Sequence, residues 1–220
     1  GVVMPKVETT VAYNLMHRMV ATIVAKDLDP DEVGAVAAPI NVRIVDGTPD
    51  GRVDARPRAS TKVHSDIWAA EPSCSVTMFL TVMGDTDRTT VELYEPTNFP
   101  PELQRALPDY LDGAQLAEGA KKYPACFRND HLLAMDAFCL HKTIKNGGNF
   151  RVSLDFRIIF KKHLPNEVYL TTPRVQSYLP LPLWASLGQS HMMAARLSIK
   201  EPVPDVTTDA FAARFDVTGL

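Results

Sequence analysis

The stretch STKVHSDIWAAEPSCSVTMFLTVMGDTDRTTVELYEP, residues 60–96, turns the reading of this chain from helix to sheet. Its segments STKVHSDIW, SVTMFLTVMGD and TTVELYEP are short, rich in β-branched and aromatic residues, and separated by turn residues. Apolar and polar positions alternate along them, which is the period of a half-buried strand. The same pattern returns in HLLAMDAFCLHKTI and, after the turn KNGGN, in FRVSLDFRIIF. Short strands with regular turn signals predict a mainly β barrel or sandwich.

Outward from this centre the pattern changes. Residues 9–27, TTVAYNLMHRMVATIVAKD, place Val11, Leu15, Met19, Ile23 and Val24 at helical spacing. That predicts an amphipathic helix with Thr9 or Thr10 as N-cap. DLDPDEVG reads as a turn, and APINVRIVDGTPDG as a short strand running into a Gly/Asp/Pro turn. FPPELQRALPDYLDGAQLAEGAKKYP reads as a polar helical excursion broken at Pro108 and Gly113. Beyond residue 164 prolines are mixed with one expected helix around WASLGQSHMMAARL, a segment that fits a lid, a dimer contact or additional core. The chain is therefore expected to be one domain, 1–220, with a barrel core at about 40–163, a helical insertion at about 99–123 and a C-terminal extension at 164–220.

Composition narrows the function. The chain has 220 residues, 45% of them hydrophobic, so it can bury a sizeable core. A net charge of -3 and a pI of about 6.1 give no basic field of the kind nucleic acid requires. No apolar run is long enough to span a bilayer, and GVVMPKVETT lacks the basic start and apolar core of a signal peptide. Cys74, Cys126 and Cys139 are odd in number and show no CxxC spacing, which favours a reducing, cytoplasmic location over a disulfide framework or zinc knuckle. The expected partner is a small molecule, with no nucleic acid and no membrane; a homodimer is compatible with the sequence. Seventeen prolines and eleven glycines suit a loop-rich β protein.

Two clusters carry chemistry. On a strand, residues i and i+2 share a face, so His64, Asp66 and Trp68 are expected to point one way and Ser65 and Ile67 the other. Imidazole beside carboxylate suits Fe(II), Mn(II) or Zn(II), but the pair alone equally fits a hydrogen-bonded pair on a solvated strand. In the second cluster Arg151, Ser153, Asp155 and Arg157 share one strand face, and Val152, Leu154, Phe156 and Ile158 the other. The polar face is either solvent-facing or the lumen of a barrel. An arginine beside a serine hydroxyl is suited to hold a carboxylate, by a bidentate pair plus a hydrogen bond.

Several alternatives stay open at this level. Asp155 and Arg157 can pair with each other or reach substrate, and Arg157 is an alternative carboxylate anchor to Arg151. His131 is an alternative ligand to His141. His17 belongs on the solvent side of the N-terminal helix, and His163 and His191 are structural or exposed. Trp68 is either core or substrate contact. Glu92 and Tyr94 face either the lumen or an exposed edge. Cys139 shares a face with His141.

His64-x-Asp66, a distant His141, and Arg151-x-Ser153 ten residues after it resemble the pattern of the Fe(II)/2-oxoglutarate-dependent oxygenase superfamily. The wording VHSDIWAAEP…TVELYEP…FCLHKTI…GGNFRVSLD further resembles the branch found in streptomycin-type aminoglycoside biosynthesis clusters. The resemblance covers roughly residues 60–160. It implies a double-stranded β-helix, a jelly-roll or cupin-like barrel. It implies Fe(II) held by His64, Asp66 and His141, and 2-oxoglutarate, the co-substrate used with O2, held by Arg151 and Ser153. The expected reaction is oxidation of an unactivated C–H bond of a small polar metabolite, with Trp68, Glu92, Asp155 and Arg157 as candidate substrate contacts. The carboxylate of Asp66 disfavours halogenation, because the halogenases of the superfamily have a small residue there. A cationic, aminoglycoside-like substrate would call on Glu71, Glu92, Glu95 and Asp155. The competing readings are a cupin-type isomerase or hydrolase that uses the same ligands without 2-oxoglutarate, and a non-catalytic small-molecule-binding barrel.

Overall fold

The structure is a computed structural model that describes residues 2–3, 9–95, 98–123, 128–129, 131–164 and 178–180. Its strands are β1 (Val2–Val3), β2 (Val33–Ala37), β3 (Asn41–Val45), β4 (Val76–Gly84), β5 (Thr89–Tyr94), β6 (Lys122–Tyr123), β7 (Leu132–Asp136), β8 (His141–Lys145), β9 (Arg151–Phe160) and β10 (Tyr178–Pro180). Two α-helices, α1 (Thr10–Asp27) and α2 (Gly51–Asp54), and several short 3-10 turns complete the described residues. The mainly β class expected from the period-two segments is what they show. The expected helix around WASLGQSHMMAARL, together with His191 and Cys126, lies outside the described residues.

The chain divides into two compact units. The first is built from Val42–Ser73 and Thr77–Asp155, the second from Val3–Asn41, Cys74–Val76 and the described residues from Phe156 on. In the first unit β5 lies between β6 and β8, antiparallel to both, with Leu93 opposite His141, Glu92 opposite Lys142 and Val91 opposite Thr143. Because side chains alternate along a strand, Val91 and Leu93 share the His141 face and Glu92 lies on the reverse. Val91 and Leu93 pack with Phe79 and Met135 on that face. β9 hydrogen-bonds to β3 and β4, and β4 in turn to β7. The turn before β9 is made by Gly147 and Gly148, whose φ values of 75° and 102° are reached cheaply only without a Cβ.

In the second unit β2 runs antiparallel to both its neighbours, pairing Val36 with Ile158 of β9 and with Leu179 of β10. Helix α1 forms where its periodicity predicts, with Thr9 at the N-cap position. The buried face is not the expected stripe. Tyr13, Asn14, His17, Val20 and Val24 are buried, whereas Val11, Leu15 and Met19 are exposed. His17, expected to face solvent, is fully buried because its Nε2 accepts the Ile40 N–H at 3.2 Å. The cost of burying an imidazole falls once a ring nitrogen is hydrogen-bonded, so polarity alone does not choose the outward face.

Two further expectations change. Residues 60–68 do not form a strand. His64 makes one isolated antiparallel bridge, and Asp66–Ala69 is a 3-10 turn. The excursion at 99–123 is not α-helical: it contains 3-10 turns at Pro101–Leu103 and Tyr110–Ala117, with Pro108 between them. Gly113 does not break the second turn. It lies against the Trp68 ring, where a Cβ would collide.

Candidate metal centre

The centre is assembled by one cross-strand contact. His64 donates its backbone N–H to the His141 carbonyl at 2.9 Å, and His141 returns the bond to His64 at 2.8 Å. Residues that exchange both bonds stand directly opposite each other with side chains on one face. The two imidazoles accordingly lie with ring centroids 4.2 Å apart. The contact is sewn on both sides. Thr143 N–H donates to the Ser60 carbonyl, and both the Ser65 hydroxyl and the Ile67 N–H donate to the Ala137 carbonyl.

Asp66 enters by a different route from the one the sequence predicts. The chain leaves the bridge into the 3-10 turn, whose end is closed by Ala70 in the left-handed region at φ 70° and by the Glu71 N–H on the Asp66 carbonyl. This turn, not a strand pleat, brings the Asp66 carboxylate to the histidines. The Thr77 hydroxyl of β4 donates to Asp66 Oδ2, which fixes the carboxylate plane. His64, Asp66 and His141 then offer ligand atoms that all lie within 4.8 Å of one another. His64 and Asp66 are buried and His141 is partly buried.

The protonation pattern suits a metal. His64 Nδ1 lies 2.9 Å from the Lys62 carbonyl, and His141 Nδ1 lies 3.0 Å from the Cys139 carbonyl. A carbonyl can only accept, so each Nδ1 carries the proton and each Nε2 keeps its lone pair in the neutral ring. Outer carbonyls of this kind set the tautomer and orientation of metal-binding histidines. His64 is held neutral: burial, then the neighbouring His141 charge, pushes its pKa down to about 3 despite the opposing pull of Asp66. Two imidazole nitrogens and one carboxylate are a donor set for Fe(II), Mn(II) or Zn(II), so the residues present fit such an ion. His131 is exposed, with its Nδ1 3.3 Å from the Asn129 carbonyl, and is not part of this group. Burial first, then the charges of Asp136 and Asp66, pushes the Cys139 thiol up to about 11, and Cys139 is not part of the His64, Asp66 and His141 group.

The polar face of β9 is buried: Arg151, Ser153, Asp155 and Arg157 are all at most 7% exposed. The solvent-facing alternative is therefore excluded for these side chains. Arg151 Nη1 donates to the Thr89 carbonyl at 3.0 Å, and its guanidinium lies 5.2 Å from the centroid of the Phe79 ring. Burial lowers its pKa to about 10, with Asp155 pulling it up and Arg43 pushing it down, so it remains a cation at neutral pH. Asp155 pairs with Arg43 Nε at 2.8 Å, and Ser153 donates to Asp155 Oδ1 at 3.3 Å.

Trp68 and Glu92, two further candidate substrate contacts, are both bonded within the chain. Trp68 is fully buried in a cluster with Ile67, Leu107, Tyr110 and Leu140, and its Nε1–H donates to the Leu103 carbonyl at 2.9 Å. Glu92, on the reverse face of β5 from His141, is bound by Lys122 at 2.5 Å, Lys142 at 3.1 Å and the Tyr94 hydroxyl at 2.7 Å. Burial alone would raise its pKa, but these three partners hold the carboxyl down at about 2. Glu92 and Asp155 are thus both neutralised by cations of this chain. Sequence reasoning missed Arg43, Thr77, Thr89 and Tyr110. Thr77 was legible in principle, since Thr77, Phe79 and Thr81 alternate along β4 and are buried together. Arg43 and Tyr110 carried no local signal.

Fold and site together define a mainly β protein with a His/Asp/His group able to hold a metal ion. No protein-family model matches the sequence, and no curated protein does. Among solved structures the chain is similar to the crystal structure of the non-heme alpha ketoglutarate dependent epimerase SnoN from nogalamycin biosynthesis, at 11% identity and a TM-score of 0.38. The likeness covers 68% of this chain and 54% of that one, so this chain spans about half the length of that structure. None of these comparisons links the chain to a streptomycin-type cluster. Among the described residues no helix is long and apolar enough to cross a membrane.

Proposed function

We propose that this chain is an Fe(II)- and 2-oxoglutarate-dependent oxygenase that oxidises a C–H bond of a small metabolite, built on a double-stranded β-helix. The observation that carries this reading is the pair of opposed histidines, each with Nδ1 on a backbone carbonyl and both grouped with Asp66. His64, Asp66 and His141 would hold the metal. Bound Fe(II) with 2-oxoglutarate and O2 supplies the oxidising chemistry.

The chain's own residues do the rest. Arg151, a buried cation fixed by Thr89 and the Phe79 ring, would anchor the distal carboxylate of 2-oxoglutarate. Ser153 would add a hydroxyl donor, turning from Asp155 to the ligand. With Asp155 held by Arg43 and Glu92 by two lysines, both carboxylates are already paired with cations of this chain, which removes them as partners for a cationic substrate.

The test is anaerobic addition of Fe(II) and 2-oxoglutarate. A weak visible metal-to-ligand charge-transfer band, and slow uncoupled succinate release in air, are expected. Metal binding with no 2-oxoglutarate affinity would instead assign a cupin-type isomerase or hydrolase. Absence of both would leave a non-catalytic binding barrel.

A further inference from the structure

One ring beside the candidate metal centre belongs to none of its ligands. Tyr110 lies parallel to the His64 imidazole, with centroids 4.5 Å apart and planes 6° apart. Such a face-to-face contact restricts rotation of the imidazole about its Cβ–Cγ bond, a torsion that is otherwise soft. Tyr110 is 5% exposed, so the contact is made inside the protein and not at a surface where it could be lost to water.

The position of Tyr110 is not left to the short 3-10 turn that it opens. Its backbone N–H donates to the Pro57 carbonyl at 3.1 Å. The preceding residue, Asp109, accepts from the Leu111 N–H at 2.9 Å and pairs with Lys62 Nζ at 2.9 Å. Lys62 is also the residue whose carbonyl holds His64 Nδ1. Its backbone thus orients the imidazole while its side chain clips the Tyr110 turn in place. Three more bonds join the same two segments: Arg58 Nε to the Leu107 carbonyl at 2.8 Å, Leu107 N–H to the Trp68 carbonyl at 3.1 Å, and Trp68 Nε1 to the Leu103 carbonyl at 2.9 Å. The segment 103–113 is therefore fastened along 57–68, the stretch that carries two of the three candidate ligands.

We infer that Tyr110 is a positioning residue of the metal centre: its stacked ring, clipped by the Lys62–Asp109 pair, holds the His64 imidazole in its metal-binding orientation before an ion arrives. The inference rests on the metal-binding reading of His64, Asp66 and His141. It gives the 99–123 excursion a role at the centre.

Co(II) titration of the full chain, followed by its visible absorption band, tests it without any turnover. Tyr110→Phe keeps the stack and should keep the affinity and band of the unsubstituted protein. Tyr110→Leu removes the stack and should weaken Co(II) about 10- to 100-fold, the scale of lost outer-shell support, with an altered band and an unchanged far-UV circular dichroism spectrum. Unchanged affinity and band in Tyr110→Leu overturn the inference, as does equal loss in Tyr110→Phe, which would place the effect on the hydroxyl. Should Tyr110→Leu fail to fold, Asp109→Asn decides: it keeps an acceptor for Leu111 but loses the charge pair, and must weaken Co(II) several-fold. An unchanged Asp109→Asn protein overturns the inference. Failure of the metal reading looks different. In that case the unsubstituted protein binds no Co(II), whereas binding that Asp66→Ala abolishes and Tyr110→Leu leaves intact overturns the positioning role alone.

Discussion

His64 and His141 stand opposite each other across a single antiparallel bridge, each donating its backbone N–H to the other's carbonyl at 2.9 and 2.8 Å. Backbone geometry therefore sets the separation of the two imidazoles, and the outer carbonyls of Lys62 and Cys139 set their tautomers. A ligand pair arranged this way loses little conformational freedom on binding an ion.

Metal binding should be visible as stability. A divalent ion that binds only the folded state adds about 2.7 kcal/mol at a concentration one hundred times its Kd. Mn(II) or Co(II) should raise the Tm of the unsubstituted protein, and chelator should reverse the rise. In Asp66→Ala and His64→Ala the rise should vanish while the metal-free fold is retained. An Asp66→Ala protein with an undiminished metal-dependent rise would disprove the ligand assignment.

Arg151→Lys should weaken 2-oxoglutarate binding although the charge is kept. The lysine ammonium cannot reproduce the fork that now reaches the Thr89 carbonyl while lying over Phe79. Arg151→Ala should cost about 2–5 kcal/mol of binding, the range for truncating one member of a buried charge pair. Titration of the charge-transfer band with 2-oxoglutarate measures both. Equal affinity in Arg151→Ala would move the anchor to another cation, with Arg157 the first candidate.

Acidification should destabilise the fold through His17. Burial lowers its pKa from 6.5 to about 4, so between these values the unfolded chain takes up a proton that folded His17 refuses. The stabilisation is therefore complete above about pH 6.5 and is lost as pH falls toward 4. From pH 7 to pH 5 the loss is about 2 kcal/mol from this residue. His17→Gln, whose amide oxygen can still accept from Ile40, should show a smaller fall. Urea unfolding at the two pH values for both proteins reads the difference; equal falls would sink the assignment.

Trp68 should prove structural. Trp68→Phe removes the donor to the Leu103 carbonyl and leaves that acceptor buried, at a cost of about 1–3 kcal/mol. Gly113→Ala, which forces a methyl against the Trp68 ring, should destabilise by a similar 1–3 kcal/mol, roughly the cost of overpacking a core. Denaturant midpoints measure both. Trp68→Phe should leave the 2-oxoglutarate titration unchanged; a large shift there would return Trp68 to the site.

Much of the candidate site was legible in the sequence, though partly for the wrong reason. His64 and Asp66 were paired by the pleat of an expected strand, whereas a bridge followed by a 3-10 turn brings them together. The spacing argument survives because a tight turn, like a pleat, can return residue i+2 to the side of residue i. Asp155 shows the opposite case. It was expected either to pair with the neighbouring Arg157 or to reach substrate, and its partner is Arg43 on β3. Local alternation cannot report a contact made between strands far apart in the chain.

Residue order by itself determined the mainly β class, the existence of α1 and the types of the three candidate ligands, because these follow from periodicity and side-chain chemistry within a few residues. Tertiary structure alone decided which face of α1 is buried, why His17 lies inside, and that Tyr110 stacks on His64. Each of those outcomes depends on a hydrogen bond or ring contact between segments distant in sequence, and its energy exists only once both segments are in place.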